Sequence, residues 1–463
     1  MNNKDNVNKA SFADNLRSCI KTQYNKYAYI SKSFGESFLK FLKWLAVAFL
    51  LGVFVGAVGV AFHYCLSGAA QIRSAHEWII FFIPIAGLFI VFCYKTFGMY
   101  NDKGTNLVLM AVRDNEPMTA KTVLLIFSST VITHLFGGSA GREGAALQIG
   151  GTIGSLFGNV LRFDDKDKRV ITMCGMSAGF AALFGTPVAS SVFAMEVTSV
   201  GVMYYSAIVP CVVSAFTAAS MAKLFGVKAV KYSVIGLPDI SVLLVLKVII
   251  LALLCAVISL VFCLSMRGLH HVFQKISKDN KFIRIFIGGT VIIIITLLIG
   301  SQKYNGAGSE VINQCFNESV GFQVFALKIL LTAITLGCGF KGGEIVPTFF
   351  TGSAFGSAMS SILGISPSLG AGVGLVSVFC GVTNCPLTSI ILSVELFGSE
   401  GLILFAVACA VSYMLSGYIG LYNEQTIVYS KTKTQFIDKS VAERSMEIKK
   451  AKLKGIEASE KEK

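Results

Sequence analysis

The sequence predicts an all-α polytopic membrane protein made of two inverted-repeat halves with broken, tilted helices. Three observations carry this prediction. Hydrophobic residues make up 54% of the chain and charged residues only 14%, whereas soluble proteins contain about 25% charged residues. Some apolar runs are long enough to cross a bilayer as helices, and others are interrupted by glycine or proline. The third observation is an internal repeat of two motifs.

Charge and hydropathy divide the chain into four predicted regions. Residues 1–40 predict a cytoplasmic arm, residues 41–235 and 236–430 the two transmembrane repeats, and residues 431–463 a charged cytoplasmic tail without a regulatory domain. The long polar stretch before the first apolar run argues against a cleavable signal peptide.

Within the first repeat, two apolar runs are long enough to span, and the later ones are shorter or broken. The spanning runs are Trp44–Leu66 and Ile79–Phe97. The interrupted segments are Val123–Phe136, Ala145–Leu161, Val170–Val197 and Val202–Leu224. The second repeat follows the same order, and broken helices at matching positions of two halves indicate a substrate site near the midplane.

The formal net charge of +14 comes from basic residues near the two ends of the chain rather than from a basic face. The positive-inside rule therefore places both termini in the cytoplasm, and we expect contact with the lipid bilayer and no nucleic acid. The twelve cysteines form no Cys-x-x-Cys pair. We therefore expect no metal site and no cofactor.

The internal repeat consists of a glycine-rich acidic motif followed by a proline and a glutamate nine residues apart. GTPVASSVFAME ends at Glu196, and TNCPLTSIILSVE ends at Glu395. The preceding motifs contain Glu143 and Glu344, and the spacing from this acid to the proline is 44 residues in one half and 42 in the other. The same order at similar spacing predicts a duplicated unit.

The stretch Gly137–Gly154 puts Arg142 and Glu143 side by side at the expected membrane depth. A charged residue there costs roughly 2.5–3.5 kcal/mol, so such residues usually mark ion or proton pathways. Glycines on either side allow the chain to leave the helix and direct backbone N–H groups into a cavity. A helix that starts near Glu143 would favour an anion at its N-terminus. The stretch predicts an anion site gated by one acid.

Together these motifs resemble those of the CLC family of chloride channels and anion/proton antiporters, over roughly residues 40–430. GREG at Gly141–Gly144 resembles the family's GREGP or GKEGP, with Ala145 in place of the proline. GTPVASSVFAMEV resembles NAPLAGILFIIEE, and GGEIVP at Gly342–Pro347 resembles GGIFAP. The resemblance implies the fold predicted above and a homodimer in which each subunit has its own pore.

The resemblance also implies roles for individual residues. Glu143 would be the gating glutamate, whose carboxylate occupies the anion pathway when ionised and swings away when protonated or displaced. The alternative is a structural ion pair with Arg142, a residue expected to brace the backbone or the pore mouth. Tyr422 matches the family's pore-lining tyrosine; the alternative is a tyrosine of the interfacial belt. The other expected anion-pathway residues of these motifs are Gly141, Gly144, Ala145, Ile345 and Val346.

Two departures concern the anion-binding loop and the proton relay. The link GTNLVL lacks the GSGIP pattern, whose serine binds the central anion in chloride-type members, so Thr105 and Asn106 are only approximate equivalents. In chloride antiporters a relay glutamate directly follows the first acid of the IIEE pair. Glu196 falls on that first acid and Val197 on the relay position.

A third departure is Glu344, which replaces an apolar residue of GGIFAP. The three departures together resemble the fluoride-exporting branch of the family, whose motif is GGE-V-T-P, although Val346 here replaces the threonine. Glu344 is interpreted either as an additional titrating group or as a helix N-cap carboxylate. For Glu196 and Glu395 we expect structural hydrogen bonding rather than a proton relay.

The predicted function is proton-coupled fluoride efflux in a microbial plasma membrane, with halide anions and protons as the transported partners. The alternative is a chloride/proton antiporter or a passive chloride channel of the voltage-gated type on the same scaffold. A membrane enzyme that uses Glu143 and Glu344 as an acid pair would lack a nucleophile or a metal-ligand cluster, so we expect no enzyme.

Overall fold

The computed structural model describes residues 3–433, 435–443 and 446. These residues contain sixteen α-helices, eight on each side of the link 225–241. The first eight are α1 (Asn3–Ala75), α2 (Ile83–Thr96), α3 (Thr105–Asp114), α4 (Ala120–Leu135), α5 (Glu143–Val160), α6 (Asp165–Phe184), α7 (Pro187–Glu196) and α8 (Ile208–Leu224). The second eight are α9 (Val242–Ile276), α10 (Lys281–Ile299), α11 (Ser309–Asn317), α12 (Gln323–Cys338), α13 (Ile345–Leu363), α14 (Pro367–Thr383), α15 (Pro386–Phe397) and α16 (Leu402–Leu415).

From the third helix of each half onward, the helices match in order and differ in length by at most three residues. α3 has 10 residues and α11 has 9, α4 and α12 both have 16, and α5 has 18 where α13 has 19. The predicted fold of two repeated halves is therefore confirmed, with eight helices in each half of the described chain.

Many helices are too short to cross a membrane, as the broken hydropathy pattern predicted. In the described residues, five helical segments are long and apolar enough to span: Lys32–Ala75, Glu77–Thr96, Tyr205–Leu224, Val242–Ile276 and Lys281–Ile299. Other apolar helices have only 10–17 residues, whereas a bilayer requires about 20.

The same local signal produces a helix break in each half. α6 ends at Gly185, which has a positive φ of 69°, and α7 begins with Pro187 at its first position. α14 ends at Asn384, with a φ of 60°, and α15 begins with Pro386. A left-handed C-terminal residue ends a helix, and proline fits the first turn of the next because its missing N–H has no partner there anyway.

Glycines allow very close contact between the paired helices of each half. A Cβ atom added at Gly150 of α5 would lie 2.1 Å from the Gly175 carbonyl oxygen of α6. In the second half, a Cβ at Gly356 of α13 would lie 1.9 Å from the Gly370 carbonyl oxygen of α14. Small residues are the usual means by which membrane helices approach this closely, and the contact fixes where α5 and α13 begin.

The ends of the chain differ from the sequence-based picture in two ways. No helix boundary separates the predicted arm from the first span, because α1 runs from Asn3 to Ala75 without a break. A small sheet of three strands was not predicted: β1 (Ser199–Val200) pairs in parallel with β2 (Thr426–Tyr429), which pairs antiparallel with β3 (Phe436–Ser440). Most of the predicted tail, including residues 447–463, lies outside the described residues.

Candidate functional site

The two glycine-rich motifs meet through a symmetrical pair of backbone hydrogen bonds. The Gly141 N–H donates to the Gly343 carbonyl oxygen at 2.7 Å, and the Gly343 N–H donates to the Gly141 carbonyl oxygen at 2.7 Å. A Cβ on Gly343 would lie 2.6 Å from the Gly144 nitrogen, so side chains are excluded there. The contact brings the N-termini of α5 and α13 together, and two helix N-termini favour negative charge between them.

Glu143 is the first residue of α5, and its side chain is 1% exposed. One carboxylate oxygen accepts a hydrogen bond from the Arg142 backbone N–H at 2.9 Å. The other lies 3.4 Å from the Arg142 Nε atom. The carboxylate is therefore folded onto its neighbour in this conformation, and the ion pair with Arg142 that formed the alternative interpretation is present.

Arg142 connects α5 to two other elements. Its Nη1 atom lies 2.9 Å from Nδ1 of His63 in α1, and its Nη2 atom donates to the Leu183 carbonyl oxygen at the end of α6 at 3.3 Å. Since guanidinium donates, the His63 Nδ1 atom must accept, so the imidazole proton resides on Nε2. Sequence reasoning missed His63, a polar residue within an apolar run; that position was the only signal in the sequence.

A cavity of about 490 Å³ leads to Glu143 from the side of the molecule on which α1 ends and α2 begins. We call it the vestibule. Its lining includes Glu143, Arg142, Val346, Arg73 and Lys303. Contact with both Glu143 and Val346 brings the cavity to the start of α5 and to the first turn of α13, so an anion in the vestibule would meet the paired helix N-termini.

Glu344 occupies the N-cap position of α13, but its side chain makes no capping hydrogen bond. The N-cap interpretation of this residue is therefore wrong for this conformation. The Glu344 carboxylate lies within electrostatic range of the Tyr422 phenol. Its partners Ile345 and Val346 in the motif are buried in the first turn of α13.

Tyr422 is 2% exposed, and its hydroxyl has no hydrogen-bond partner among the described residues. A buried phenol does not belong to an interfacial belt, so that alternative is wrong. An unsatisfied buried hydroxyl costs about 1–3 kcal/mol. The Tyr422 hydroxyl is thus available to donate a hydrogen bond to a ligand that the protein itself does not supply.

The link before α3 also reaches the glycine motifs. Thr105, the first residue of α3, accepts a hydrogen bond from Gln148 Nε2 at 3.1 Å, and its Oγ1 atom would lie 3.4 Å from a Cβ on Gly144. Asn106 instead accepts from the Glu424 backbone N–H at 3.4 Å. Thr105 therefore lies beside the motif, whereas Asn106 holds the segment that follows Tyr422. Ala145, in the first turn of α5, is fully buried.

The two remaining acids lie away from this site and bind each other's half of the molecule. Glu196, at the end of α7, accepts hydrogen bonds from Leu387 N at 3.1 Å and Thr388 N at 2.8 Å in the first turn of α15. Glu395, in α15, accepts from Val188 N at 3.0 Å and Ala189 N at 2.8 Å in the first turn of α7. Each carboxylate satisfies backbone donors that a helix start leaves unpaired.

Comparison with known proteins shows which family the chain resembles. The family model described as voltage gated chloride channel matches residues 86–417. In the described part of the chain, no group of three or more metal-ligating side chains is present.

The chain is 35% identical to the "Chloride/fluoride channel protein" of Pseudomonas syringae pv. tomato, over 84% of this chain and 87% of that protein. It is 27% identical to the "H(+)/Cl(-) exchange transporter ClcA" of Vibrio cholerae, over 57% of this chain and 59% of that protein. Among solved structures, a CLC-type fluoride/proton antiporter has 30% identity and a TM-score of 0.80, over 83% of this chain and 98% of that one. A slow cyanobacterial Cl⁻/H⁺ antiporter, at 20% identity and a TM-score of 0.69, shares the fold.

Proposed function

Because the chain belongs to the voltage-gated chloride channel (CLC) family of membrane anion transporters, we propose that it exports fluoride in exchange for protons, with Glu143 as the gate. The observation that carries the proposal is the meeting of the α5 and α13 N-termini, which the Gly141–Gly343 hydrogen bonds hold together, with Glu143 as the first residue of α5 and Glu344 at the N-cap position of α13. Such a site attracts an anion and offers two groups that bind protons.

Glu143 would control access from the vestibule. When ionised, its carboxylate competes with the transported anion for the positive end of α5, since both carry a negative charge. Protonation removes that charge, and the anion then takes its place. The hydrogen bond from the Arg142 N–H and the ion pair with the Arg142 guanidinium hold the ionised carboxylate in the position seen in this structure.

Glu344 would supply the second proton-binding group. The position that resemblance assigns to an internal relay glutamate holds Val197, which is 1% exposed and cannot bind a proton. Glu344 has no capping hydrogen bond and lies in range of the Tyr422 hydroxyl. The uncapped start of α13 and the unpaired Tyr422 hydroxyl support an anion held between them, with a proton passing through Glu344.

Fluoride/proton exchange is supported by the similarity to the solved fluoride/proton antiporter, and the Pseudomonas syringae relative is named for both chloride and fluoride. The alternative is chloride/proton exchange or passive chloride conduction, which the similarity to the Vibrio cholerae exchange transporter keeps as the second candidate. We further propose a homodimer in the plasma membrane with both termini in the cytoplasm.

A flux assay in liposomes tests the proposal. Purified protein is reconstituted, fluoride efflux is followed with a fluoride electrode, and proton movement with a pH probe. We expect an outward fluoride gradient to drive protons inward against their own gradient. Chloride flux without proton movement would contradict the proposal.

Two variants separate the roles of the acids. Glu143→Gln should abolish proton movement, and Glu344→Gln should reduce the protons moved per fluoride while fluoride transport remains measurable. Glu310→Gln is the matched control, because Glu310 is an exposed acid of the vestibule, and it should leave coupling unchanged. Retained coupling in Glu143→Gln would remove Glu143 from the gate.

A further inference from the structure

A second cavity lies at the opposite end of the molecule from the vestibule. It has a volume of about 70 Å³ and lies between the last turn of α2, the first turn of α10 and the end of α12. The α2 segment begins near Glu77, which lines the vestibule, and ends at Thr96. Tyr94, in its last turn, lines this cavity, so the two cavities open at opposite membrane faces. We call the smaller one the basic pocket.

Three cations and one carboxylate line the basic pocket: Lys281, Arg284, Lys341 and Asp102. The Asp102 carboxylate is already occupied, because Lys341 Nζ donates to it at 2.7 Å and its side chain is 3% exposed. Among the described residues, no carboxylate lies within 4 Å of the Lys281 or Arg284 nitrogens. The pocket therefore carries two cations beyond what its own acid neutralises.

Lys281 and Arg284 lie at a helix N-terminus, which adds to the positive potential of their own charges. Lys281 is the first residue of α10 and Arg284 lies in its first turn, so the helix N-terminus contributes partial positive charge. Lys281 Nζ donates to the Tyr100 carbonyl oxygen and to Asn101 Oδ1, which fixes the ammonium group in place. The Arg284 Nε–H is buried and has no acceptor in the described part of the chain. An anionic acceptor is missing from the protein itself.

The surroundings of the pocket point to lipid rather than to a soluble anion. Two of the helices that frame it expose large apolar side chains: Phe89 and Phe92 on α2, and Ile283 and Phe286 on α10, are each about half exposed. In a membrane helix such side chains face acyl chains. Basic pockets between transmembrane helices at a membrane face are sites at which anionic lipid headgroups bind.

We propose that the basic pocket binds the phosphate group of an anionic membrane lipid. The phosphate oxygens accept hydrogen bonds from Arg284 Nε and Lys281 Nζ, and the acyl chains lie along the exposed faces of α2 and α10. Lys341 stays paired with Asp102 and forms the pocket wall. Because Lys341 directly precedes the Gly342–Glu344 motif, a lipid in this pocket contacts the segment that leads into α13.

Native mass spectrometry of the detergent-solubilised protein tests this site. The protein is titrated with dioctanoyl-phosphatidylglycerol, with dioctanoyl-phosphatidylcholine and with inorganic phosphate. We expect phosphatidylglycerol to bind more tightly than the zwitterionic lipid. The affinity of the protein for phosphatidylglycerol should fall about fivefold in Lys281→Gln and about fivefold in Arg284→Gln. The reason is that one basic residue near the membrane surface strengthens the binding of an anionic lipid by about this factor.

The matched control is Lys275→Gln, which removes an exposed cation from the last turn of α9 at the same membrane face without touching the pocket. The Lys275→Gln protein should bind phosphatidylglycerol with the same affinity as the wild-type protein. Equal affinity across all variants would overturn the proposal. Equally tight binding of inorganic phosphate would overturn the assignment to lipid. Thermal unfolding in detergent reports independently whether each variant folds.

Discussion

At the scale of single residues, the site depends on polar groups that the protein leaves without partners. Glu344 sits at a helix start without capping it, and the nearby Tyr422 hydroxyl is buried with no acceptor among the described residues. A folded protein rarely leaves such groups unsatisfied unless a ligand uses them. The buried Tyr422 hydroxyl therefore belongs to ligand binding more than to folding.

Tyr422→Phe separates these two roles. Removing a hydroxyl that has no partner should leave the free energy of unfolding unchanged or slightly higher. The apparent affinity for fluoride should fall about tenfold or more, since a hydrogen bond to a charged group contributes about 1.5–3 kcal/mol. The concentration dependence of fluoride flux and thermal unfolding in detergent measure the two effects.

The control for this variant is Tyr418→Phe. The Tyr418 hydroxyl lies 2.7 Å from Ser430 Oγ, so its removal should lower stability and leave fluoride affinity unchanged. If Tyr422→Phe lost stability and kept its affinity, the hydroxyl would have a structural role.

The sequence was enough to locate Glu143, because its flanking glycines and apolar surroundings mark a helix start at membrane depth. It was not enough to find the partner of Arg142. His63 lies 79 residues away in the chain, and only the packing of α1 against α5 and α6 brings the two together. For the same reason, the missing capping bond of Glu344 could not be read from a motif that fits both interpretations.

At the scale of helices, the two halves exchange carboxylates across the molecule. Glu196 binds the start of α15, and Glu395 binds the start of α7. The motif of a proline and a glutamate nine residues apart therefore has the same role in both halves. The proline begins a helix, and the glutamate near the end of that helix binds the first turn of the corresponding helix in the other half. The repeat was visible in the sequence, but the exchange of partners was not, because it is a relation between the halves.

Removing either carboxylate should destabilise the protein without altering coupling. Loss of a capping side chain costs about 0.5–2 kcal/mol, and Glu196→Ala should lie at the upper end because Glu196 is 8% exposed and also accepts from Thr388 Oγ1 at 2.6 Å. Glu395→Ala should cost less, since Glu395 is only half-buried. Thermal unfolding in detergent measures the losses.

Glu400→Ala provides the baseline, because Glu400 is an exposed acid just after α15; its unfolding temperature should match the wild type. The number of protons moved per fluoride should be the same in all three variants. A lower number in Glu196→Ala would assign Glu196 to the proton route.

At the scale of the whole molecule, one chain contains every group of the proposed pathway. The vestibule, Glu143, Glu344 and Tyr422 all come from this chain, with the vestibule lined by residues from both halves. Sequence reasoning predicted two halves correctly because motifs and helix breaks recur. It missed the continuity of α1, because a polar arm followed by an apolar run predicts two segments, although Gly35 lies inside the helix and does not interrupt it.

A homodimer of such subunits should therefore transport through two independent pathways. Reconstituting wild-type and Glu143→Gln subunits in varied ratios should give proton-coupled fluoride flux that falls in proportion to the wild-type fraction. A fall with the square of that fraction would show that the two subunits share one pathway. Wild-type subunits that carry only a purification tag serve as the control for mixing.

The paired hydrogen bonds between Gly141 and Gly343 limit how such a transporter can move. They join the two halves where the N-termini of α5 and α13 meet, and a rigid movement that separated these N-termini would break both bonds. Turnover must then leave the backbone frame in place and consist of short displacements of side chains, above all of Glu143. The outline of the molecule should stay nearly constant through the cycle.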